Sequence, residues 1–267
     1  MQISLLLAAA VLYAVCAFLP TRLGTLISAV TAGAWLVHGA ALWLDMMAPG
    51  TVRIGFALMI SAALWVSVAA YWVENRNFAL DGLRRLVMPC ACAAAMLPAV
   101  FPGSVLQLDG KAPALGWHIA VAILAYSILT IAAFHAVLMA LQYSRLHAPT
   151  ASKGWFSSGL DQLPALMTME KLLFRLIWIG FVLLSLTVLS GIVFSEQLFG
   201  TALKWDHKNI FTLLSWLLFA ALLAGRRWRG WRGKTALRFT VAGFATLVLA
   251  YVGSRFVLEV VLHRGLA

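Results

Sequence analysis

The sequence predicts an all-α protein: a polytopic membrane bundle of eight transmembrane helices that forms a single domain over residues 1–267. Three observations lead to this prediction. Hydrophobic residues make up 63% of the 267 residues and charged residues only 11%, whereas a soluble domain carries about 25% charge. The apolar residues fall in runs long enough to cross a bilayer, for which a helix needs about 20 residues. The basic residues lie mainly in the loops between these runs.

Prolines and polar loops separate the apolar runs, with Pro20, Pro102 and Pro164 at three of the boundaries. The first run has no basic segment before it and no small-residue cleavage site after it, so we interpret it as a span and not as a signal peptide. The eight predicted spans are Ser4–Leu19, Thr25–Leu44, Ile54–Trp72, Leu83–Phe101, Gly116–Gln142, Leu172–Phe194, Asn209–Ala224 and Ala236–Val260.

The distribution of charge predicts the orientation of the bundle. Fourteen of the 20 lysines and arginines belong to one side of the predicted topology and six to the other. The basic side is expected to be cytoplasmic, which places both termini on the non-cytoplasmic side of a bacterial inner membrane. The residues that give the net charge of +11 lie mainly in the loops between spans. This placement indicates contact with the lipid bilayer and not with nucleic acid.

The six histidines carry the most chemical information: His38, His118, His135, His147, His207 and His263. The predicted topology brings His118, His207 and His263 to the outer face. Neutral imidazole is a strong ligand for haem iron, zinc or copper, so a shared ligand site is one interpretation of these three histidines. The alternative is that these histidines contact headgroups or cap helices. The three cysteines form no Cys-x-x-Cys pair, so neither a zinc site nor a thiol-redox motif is indicated.

His135 lies on the same predicted helix as His118 but too far away to share a metal with it. At about 1.5 Å per residue the separation is about 25 Å, which puts His135 in the inner leaflet. An ionisable residue at that depth is costly and usually functional, so we expect it to face the bundle interior. It is either a neutral ring bonded to a helix carbonyl or an inner-leaflet waypoint for haem. His38, in the outer half of the second span, is predicted to neighbour the outer site.

The residues around Asp206 follow a tryptophan-rich loop pattern, G-x8-G-x-x-W-x-W-D-x-K-x7-W-L. The positions that match are Gly191, Gly200, Trp205, Asp206, Lys208, Trp216 and Leu217. Further matches are Leu163-Pro164, Glu170, Ile179-Gly180-Phe181, Arg229-Gly230-Trp231-Arg232-Gly233, Trp117-His118 with Ala125-Tyr126, and Leu262-His263. In this order the motifs resemble the cytochrome c assembly family of CcsA/CcmC type, and in particular its short eight-span branch, which is YpjD-like and HemX-like. The resemblance covers roughly residues 115–267.

This resemblance implies a haem site at the outer face. The loop residues Trp205 and Asp206 would cradle a b-type haem, and His118 and His263 would be the two axial ligands of its iron. His207 adjoins the loop and is the rival second ligand. Bis-histidine ligation suits low-spin iron, and an indole offers a flat apolar face to a porphyrin.

The sequence also departs from the family pattern. Phe199 and Leu203 stand where the family has tryptophans, Ala224 stands where a histidine is often found, and His207 replaces a proline. The loop has fewer tryptophans than the family pattern, and we expect no large additional domains like those of full synthases. The resemblance therefore implies haem binding more strongly than synthase activity, and we do not expect an enzyme.

Three functions remain open at this point. The first is a protein that handles or relays haem at the periplasmic face, together with other cytochrome c maturation or membrane proteins. The second is a haem-binding scaffold or regulator without a role in maturation. The third is a transporter of another solute, in which the histidines are only structural.

Overall fold

The computed structural model describes residues 2–48, 51–76, 80–107, 114–147, 163–199 and 206–262. Helices that are apolar on all faces are typical of membrane spans, and each predicted span coincides with a helix. The eight long helices are α1 (Gln2–Phe18), α2 (Gly24–Met46), α3 (Phe56–Asn75), α4 (Asp81–Val100), α5 (Ala114–His147), α6 (Leu166–Phe199), α7 (His207–Arg229) and α8 (Lys234–Val248). The helical fold class is therefore confirmed.

Beyond Val248, α8 continues without interruption through two π-helical turns. They span Leu249–Gly253 and Val257–Val261, and Ser254–Phe256 lies between them in α-helical conformation. Such π turns are rare in proteins and occur frequently at functional sites. The whole run Lys234–Val261 has the length and composition of one membrane span.

Seven of the described helices are long and apolar enough to cross a membrane. The seven are α2 to α8, while α1 has only 17 residues, fewer than the roughly 20 that a span requires. The eighth span and the sidedness of both termini therefore stay predictions.

Helix α5 lies at the centre of the bundle and is the most buried of the candidate spans. It packs against α3, α4, α6 and α8, while α1 packs on α2 and α4, and α7 packs on α6 and α8. Because the helices alternate in direction, their termini form two ends. We call the end that holds Arg84, Glu170 and Arg226 the basic end, and the opposite end, which holds the start of α5, the sheet end.

A small antiparallel sheet at the sheet end adds three short strands that the sequence analysis did not predict. Its strands are β1 (Met47–Ala48), β2 (Thr51–Ile54) and β3 (Ser104–Gln107), in the order β1-β2-β3, with Val52 opposite Leu106. Three of the four residues of β2 are β-branched or long aliphatic, which favours a strand. The segments are too short to stand out beside the long apolar runs.

Two glycines allow the sheet to approach α3 closely. Gly103, just before β3, has a positive φ of 74°, a conformation that other residues adopt at a cost. A Cβ atom on Gly55 would lie 2.8 Å from the Cα atom of Gly103. Side chains at either position would therefore force β3 away from the start of α3.

A buried arginine connects the first helix to the fourth at the basic end. Arg84 is fully buried, and its guanidinium donates to the carbonyl of Cys16 and, at 2.9 Å, to the carbonyl of Leu19. The last carbonyls of a helix have no partner within it. Arg84 therefore caps the end of α1 from another helix.

A second polar cluster at the basic end joins α6 to the turn between α7 and α8. Arg226 lies 2.5 Å from Glu170, and the other oxygen of this carboxylate accepts from the backbone of Gly233 at 3.4 Å. Gly230 ends α7 in the left-handed conformation, with φ 66°, and Trp231 then packs on Gly225. Glu170 thus binds both sides of the Gly-Trp-Arg-Gly turn that sequence analysis singled out.

Candidate functional site

His118 lies in the first turns of α5 at the sheet end and is half-buried against α6. Its Nδ1 atom is 2.8 Å from the hydroxyl oxygen of Ser190. The next residue of α6 is Gly191, where a Cβ atom would touch the imidazole carbon Cε1 at 3.5 Å. The ring is therefore held by a hydroxyl and rests on a backbone without a side chain.

The hydrogen bonds of Ser190 determine which nitrogen of His118 carries the proton. The Ser190 hydroxyl lies 2.7 Å from the carbonyl of Leu186 and 3.1 Å from that of Thr187. A carbonyl only accepts, so these short distances favour donation of the single hydroxyl proton to the backbone of α6. In that arrangement Ser190 accepts from Nδ1–H of His118, and Nε2 carries the lone pair that a metal ion needs.

Two cations lie near His118 at the sheet end. Lys208, in the first turn of α7, interacts electrostatically with His118 and with Arg255 of α8. Both cations lie near Tyr251: the Nζ atom of Lys208 is 5.8 Å from the ring centroid, and Arg255 is close enough to the phenol group to interact with it electrostatically. Each cation also has a carboxylate within electrostatic range, Asp206 for Lys208 and Glu259 for Arg255.

Asp206 acts as the N-cap of α7. Its backbone is extended, and its Oδ1 atom accepts from the backbone N–H of Asn209 at 2.9 Å. An aspartate at this position satisfies one of the free N–H groups and also favours the positive end of the helix dipole. The aspartate of the loop motif therefore fixes the point at which the loop enters α7.

The structure describes some of the other predicted residues of the loop and the C-terminus, and others lie outside the described residues. His207 is the first residue of α7 and is exposed. Trp205 and His263 lie outside the described residues. Leu262, the residue before His263, is described.

The end of α8 lies at the sheet end together with His118. Phe256 packs edge-on against Phe56 with ring centroids 5.4 Å apart, and the carboxylate of Glu259 lies beside Gly55 at the start of α3. In the middle of the bundle the hydroxyl of Tyr126 on α5 donates to the carbonyl of Leu247 at 2.8 Å. The structure thus brings the starts of α5 and α7 and the end of α8 to one end of the bundle.

Other motif residues hold the helices that carry the site. The Trp216 indole on α7 donates to the hydroxyl of Ser185 on α6 at 2.8 Å and packs against Phe181. Gly180 lies so close to Leu129 of α5 that a Cβ atom there would collide with it. Gln142 of α5 donates to the carbonyl of Pro164 just before α6 at 3.2 Å. These motif positions therefore determine the packing of α5, α6 and α7.

His135 is fully buried, which confirms that it faces the interior. Its Nδ1 atom is 2.9 Å from the carbonyl of Ile131, and its Nε2 atom is 3.3 Å from Oε2 of Glu74 on α3. Sequence analysis missed Glu74, because a single carboxylate at the end of an apolar run gives no sign of its partner. The waypoint role of His135 stays a prediction.

His38 is also fully buried. Its hydrogen-bond partners belong to α1 and α3 and not to the helix that carries His118. Its Nδ1 atom lies 3.2 Å from the Tyr13 hydroxyl and its Nε2 atom 2.9 Å from the Ser61 hydroxyl. Both ring nitrogens thus join α2 to α1 and α3. We interpret His38 as a packing residue of the first three helices.

No three histidine, cysteine, aspartate or glutamate side chains come together to hold a metal ion within the described part of the chain.

The chain matches a known protein family over almost its whole length. A family model described as cytochrome c assembly protein matches residues 4–262. This match begins closer to the N-terminus than the first of the motifs, Trp117-His118. Over 181 residues the chain is 30% identical to the inner membrane protein YpjD of Escherichia coli strain K12, which covers 66% of the chain and 65% of that protein. The chain thus spans slightly less than two thirds of this relative.

Several relatives are named cytochrome c biogenesis protein CcsA. The protein of Chlamydomonas reinhardtii is 28% identical over 204 residues, covering 73% of the chain and 55% of that protein. The protein of Pyropia yezoensis is 23% identical over 292 residues, covering 84% and 92%. Together with the seven apolar helices, these matches make the chain a multi-pass inner-membrane protein. The chain belongs to the cytochrome c assembly protein family.

Proposed function

We propose that the chain binds haem at the sheet end and handles or relays it for the maturation of c-type cytochromes. The observation that carries the proposal is the fixed tautomer of His118, which turns Nδ1 towards Ser190 and keeps the lone pair on Nε2. Histidines that ligate metal ions generally have their second nitrogen held in this way. His118 is therefore the first axial ligand in this proposal.

The surroundings of His118 suit the rest of a haem molecule. Haem supplies an iron with two axial positions for protein ligands. Lys208 and Arg255 offer positive charge to the propionates, and Trp117, whose side chain is 74% exposed, offers an apolar face next to the ligand. Trp205, which directly precedes the N-cap Asp206 in sequence, is proposed as a further contact of the macrocycle.

His263 is the proposed second ligand, which gives a b-type haem with two axial histidines. It follows Leu262 directly, at the end of the helix that reaches the sheet end. His207 is the rival, because it adjoins the loop and is exposed. In the proposed orientation the sheet end is periplasmic, and other maturation proteins would deliver or receive haem there.

Substitution of single histidines tests the ligands. His118→Gly, His207→Gly and His263→Gly are purified and their spectra are recorded with and without free imidazole. A ligand variant loses the low-spin spectrum and regains it with imidazole, which fills the open coordination position. We expect this result for His118 and His263. Loss and recovery in the His207 variant, with no change in the His263 variant, would make His207 the second ligand.

Two further observations separate the wider alternatives. Purified protein without a Soret band would contradict haem binding altogether. Deletion of the gene should lower the content of c-type cytochromes in the membrane, and the wild-type gene should restore it. A normal content of c-type cytochromes after deletion would contradict the role in maturation. The remaining function would then be that of a haem-binding scaffold.

A further inference from the structure

His135 of α5 and Glu74 of α3 meet inside the bundle, in the half that contains the basic end. His135 is fully buried, and the Glu74 side chain keeps 17% of its surface exposed. Oε2 of Glu74 and Nε2 of His135 are 3.3 Å apart, which is an ion-pair distance, but they are not aligned as a hydrogen bond, and neither atom has a hydrogen bond to any described residue. Buried polar atoms rarely stay unsatisfied, so this contact requires an explanation.

The second nitrogen of His135 limits the protonation states of the contact. Nδ1 lies 2.9 Å from the carbonyl of Ile131, and a carbonyl only accepts, so Nδ1 carries a proton. If Nε2 and Glu74 were both unprotonated, two lone pairs would face each other in a poorly hydrated interior. That arrangement is repulsive. The contact is stable only when one further proton lies on Nε2 or on Oε2.

We propose that His135 and Glu74 form a proton-binding site that holds one proton between α5 and α3. The ligand is a proton, and the site is independent of the haem proposal. A neutral carboxylic acid beside neutral imidazole and a carboxylate beside imidazolium contain the same number of protons, and in either form one proton lies at the contact. The partly exposed Glu74 is the route by which the proton enters and leaves.

Charged groups on the surrounding helices also bear on this site: Arg85 of α4 is half-buried, and the following groups have other partners or lie on the surface. On α3, Arg76 stacks over Trp72 at 4.5 Å, and the Tyr71 hydroxyl is buried one turn before Glu74. On α4, Arg84 binds the end of α1. On α6, Glu170 is bound by Arg226, while Lys171 and Arg175 are exposed. On α8, Lys234 lies over the ring of Tyr143, and Arg238 is exposed.

Two other ion pairs, Arg53–Asp45 and Arg226–Glu170, contain arginine. Arginine stays charged at any pH that a cell experiences, whereas a pair of imidazole and carboxylate can gain or lose a proton. Loss of the shared proton would bring two lone pairs together, so it should separate the end of α3 from α5. Proton occupancy is thereby linked to the packing of these two helices.

Solid-state NMR of the full chain in lipid nanodiscs tests this site. The protein carries ¹⁵N in its histidine rings and ¹³C in its glutamate carboxyl groups. At neutral pH one histidine nitrogen should couple to a carboxyl carbon, and its chemical shift should be that of a protonated or proton-sharing nitrogen. Raising the pH should remove the coupling reversibly. An unprotonated shift for the coupled nitrogen at neutral pH would overturn the proposal.

Glu74→Gln and Glu170→Gln form a matched pair of variants. The amide of Glu74→Gln can donate to Nε2, so we expect the coupling to disappear and the nitrogen shift to become that of an unprotonated nitrogen. Glu170→Gln removes a carboxylate at the same end and should leave both signals unchanged. Persistence of the coupling in Glu74→Gln would refute the assignment. If Glu74→Gln does not fold, the pH series on the wild-type protein still decides.

Discussion

The hydroxyl of Ser190 accepts a hydrogen bond from Nδ1 of His118 at 2.8 Å and donates its own proton to the backbone of α6. One small side chain thus determines both the orientation and the tautomer of the proposed haem ligand. The bond crosses from α5 to α6, so the position of the ring also depends on the packing of these helices.

Replacement of Ser190 by alanine should weaken haem binding without unfolding the bundle. Loss of a partner behind a metal-ligating histidine typically lowers affinity by about 10-fold to 100-fold, and we expect the lower end because haem has further contacts. Haem titration of the purified protein measures the change. Thr187→Ala is the control, since the Thr187 hydroxyl bonds only to a carbonyl of its own helix. Equal affinity in both variants would contradict the role of Ser190.

Substitutions of Asp206 separate its capping role from its charge. Asp206→Ala should destabilise the protein by about 1 kcal/mol, because α7 loses the bond to the Asn209 backbone. Asp206→Asn keeps an oxygen in the same place and should remain close to the wild type. Thermal unfolding in detergent measures both. A loss of stability as large for asparagine as for alanine would show that the negative charge matters more than the cap.

Removal of Arg226 should loosen the turn between α7 and α8. Arg226→Ala leaves Glu170 without its ion pair in a partly buried position, and we expect a loss of about 1 to 3 kcal/mol in the free energy of unfolding. Arg227→Ala is the matched control: Arg227 is adjacent and exposed, so its removal should change stability by less than about 0.5 kcal/mol. Similar losses in both variants would indicate a general charge effect.

Reporter fusions test the predicted topology. Fusions after Gly233 and at the C-terminus should report opposite sides of the membrane, with the Gly233 fusion cytoplasmic, because fourteen basic residues lie on that side. A fusion after Leu19 should also report the cytoplasmic side if α1 crosses the bilayer. A cytoplasmic C-terminus would remove the argument for a shared histidine face.

The sequence predicted the helices well because apolar runs of this length have few alternatives. It also predicted that His118 and the end of α8 lie at one end, since alternating spans dictate which loops share a side. Ser190 and Glu74 could not be predicted in the same way. Their importance comes from helix rotation and packing: Ser190 faces His118 from α6, and Glu74 faces His135 from α3, and no local motif records either contact.

The bond between Arg84 and the end of α1 has a consequence for synthesis of the chain. The carbonyl of Cys16 receives its partner from a residue 68 positions later, so the end of α1 stays uncapped until α4 has been made. With 17 residues, α1 is also the helix least able to hold its depth in the bilayer alone. Its final placement therefore waits for α4, and a nascent chain that stops after α3 should expose α1 to quality-control proteases.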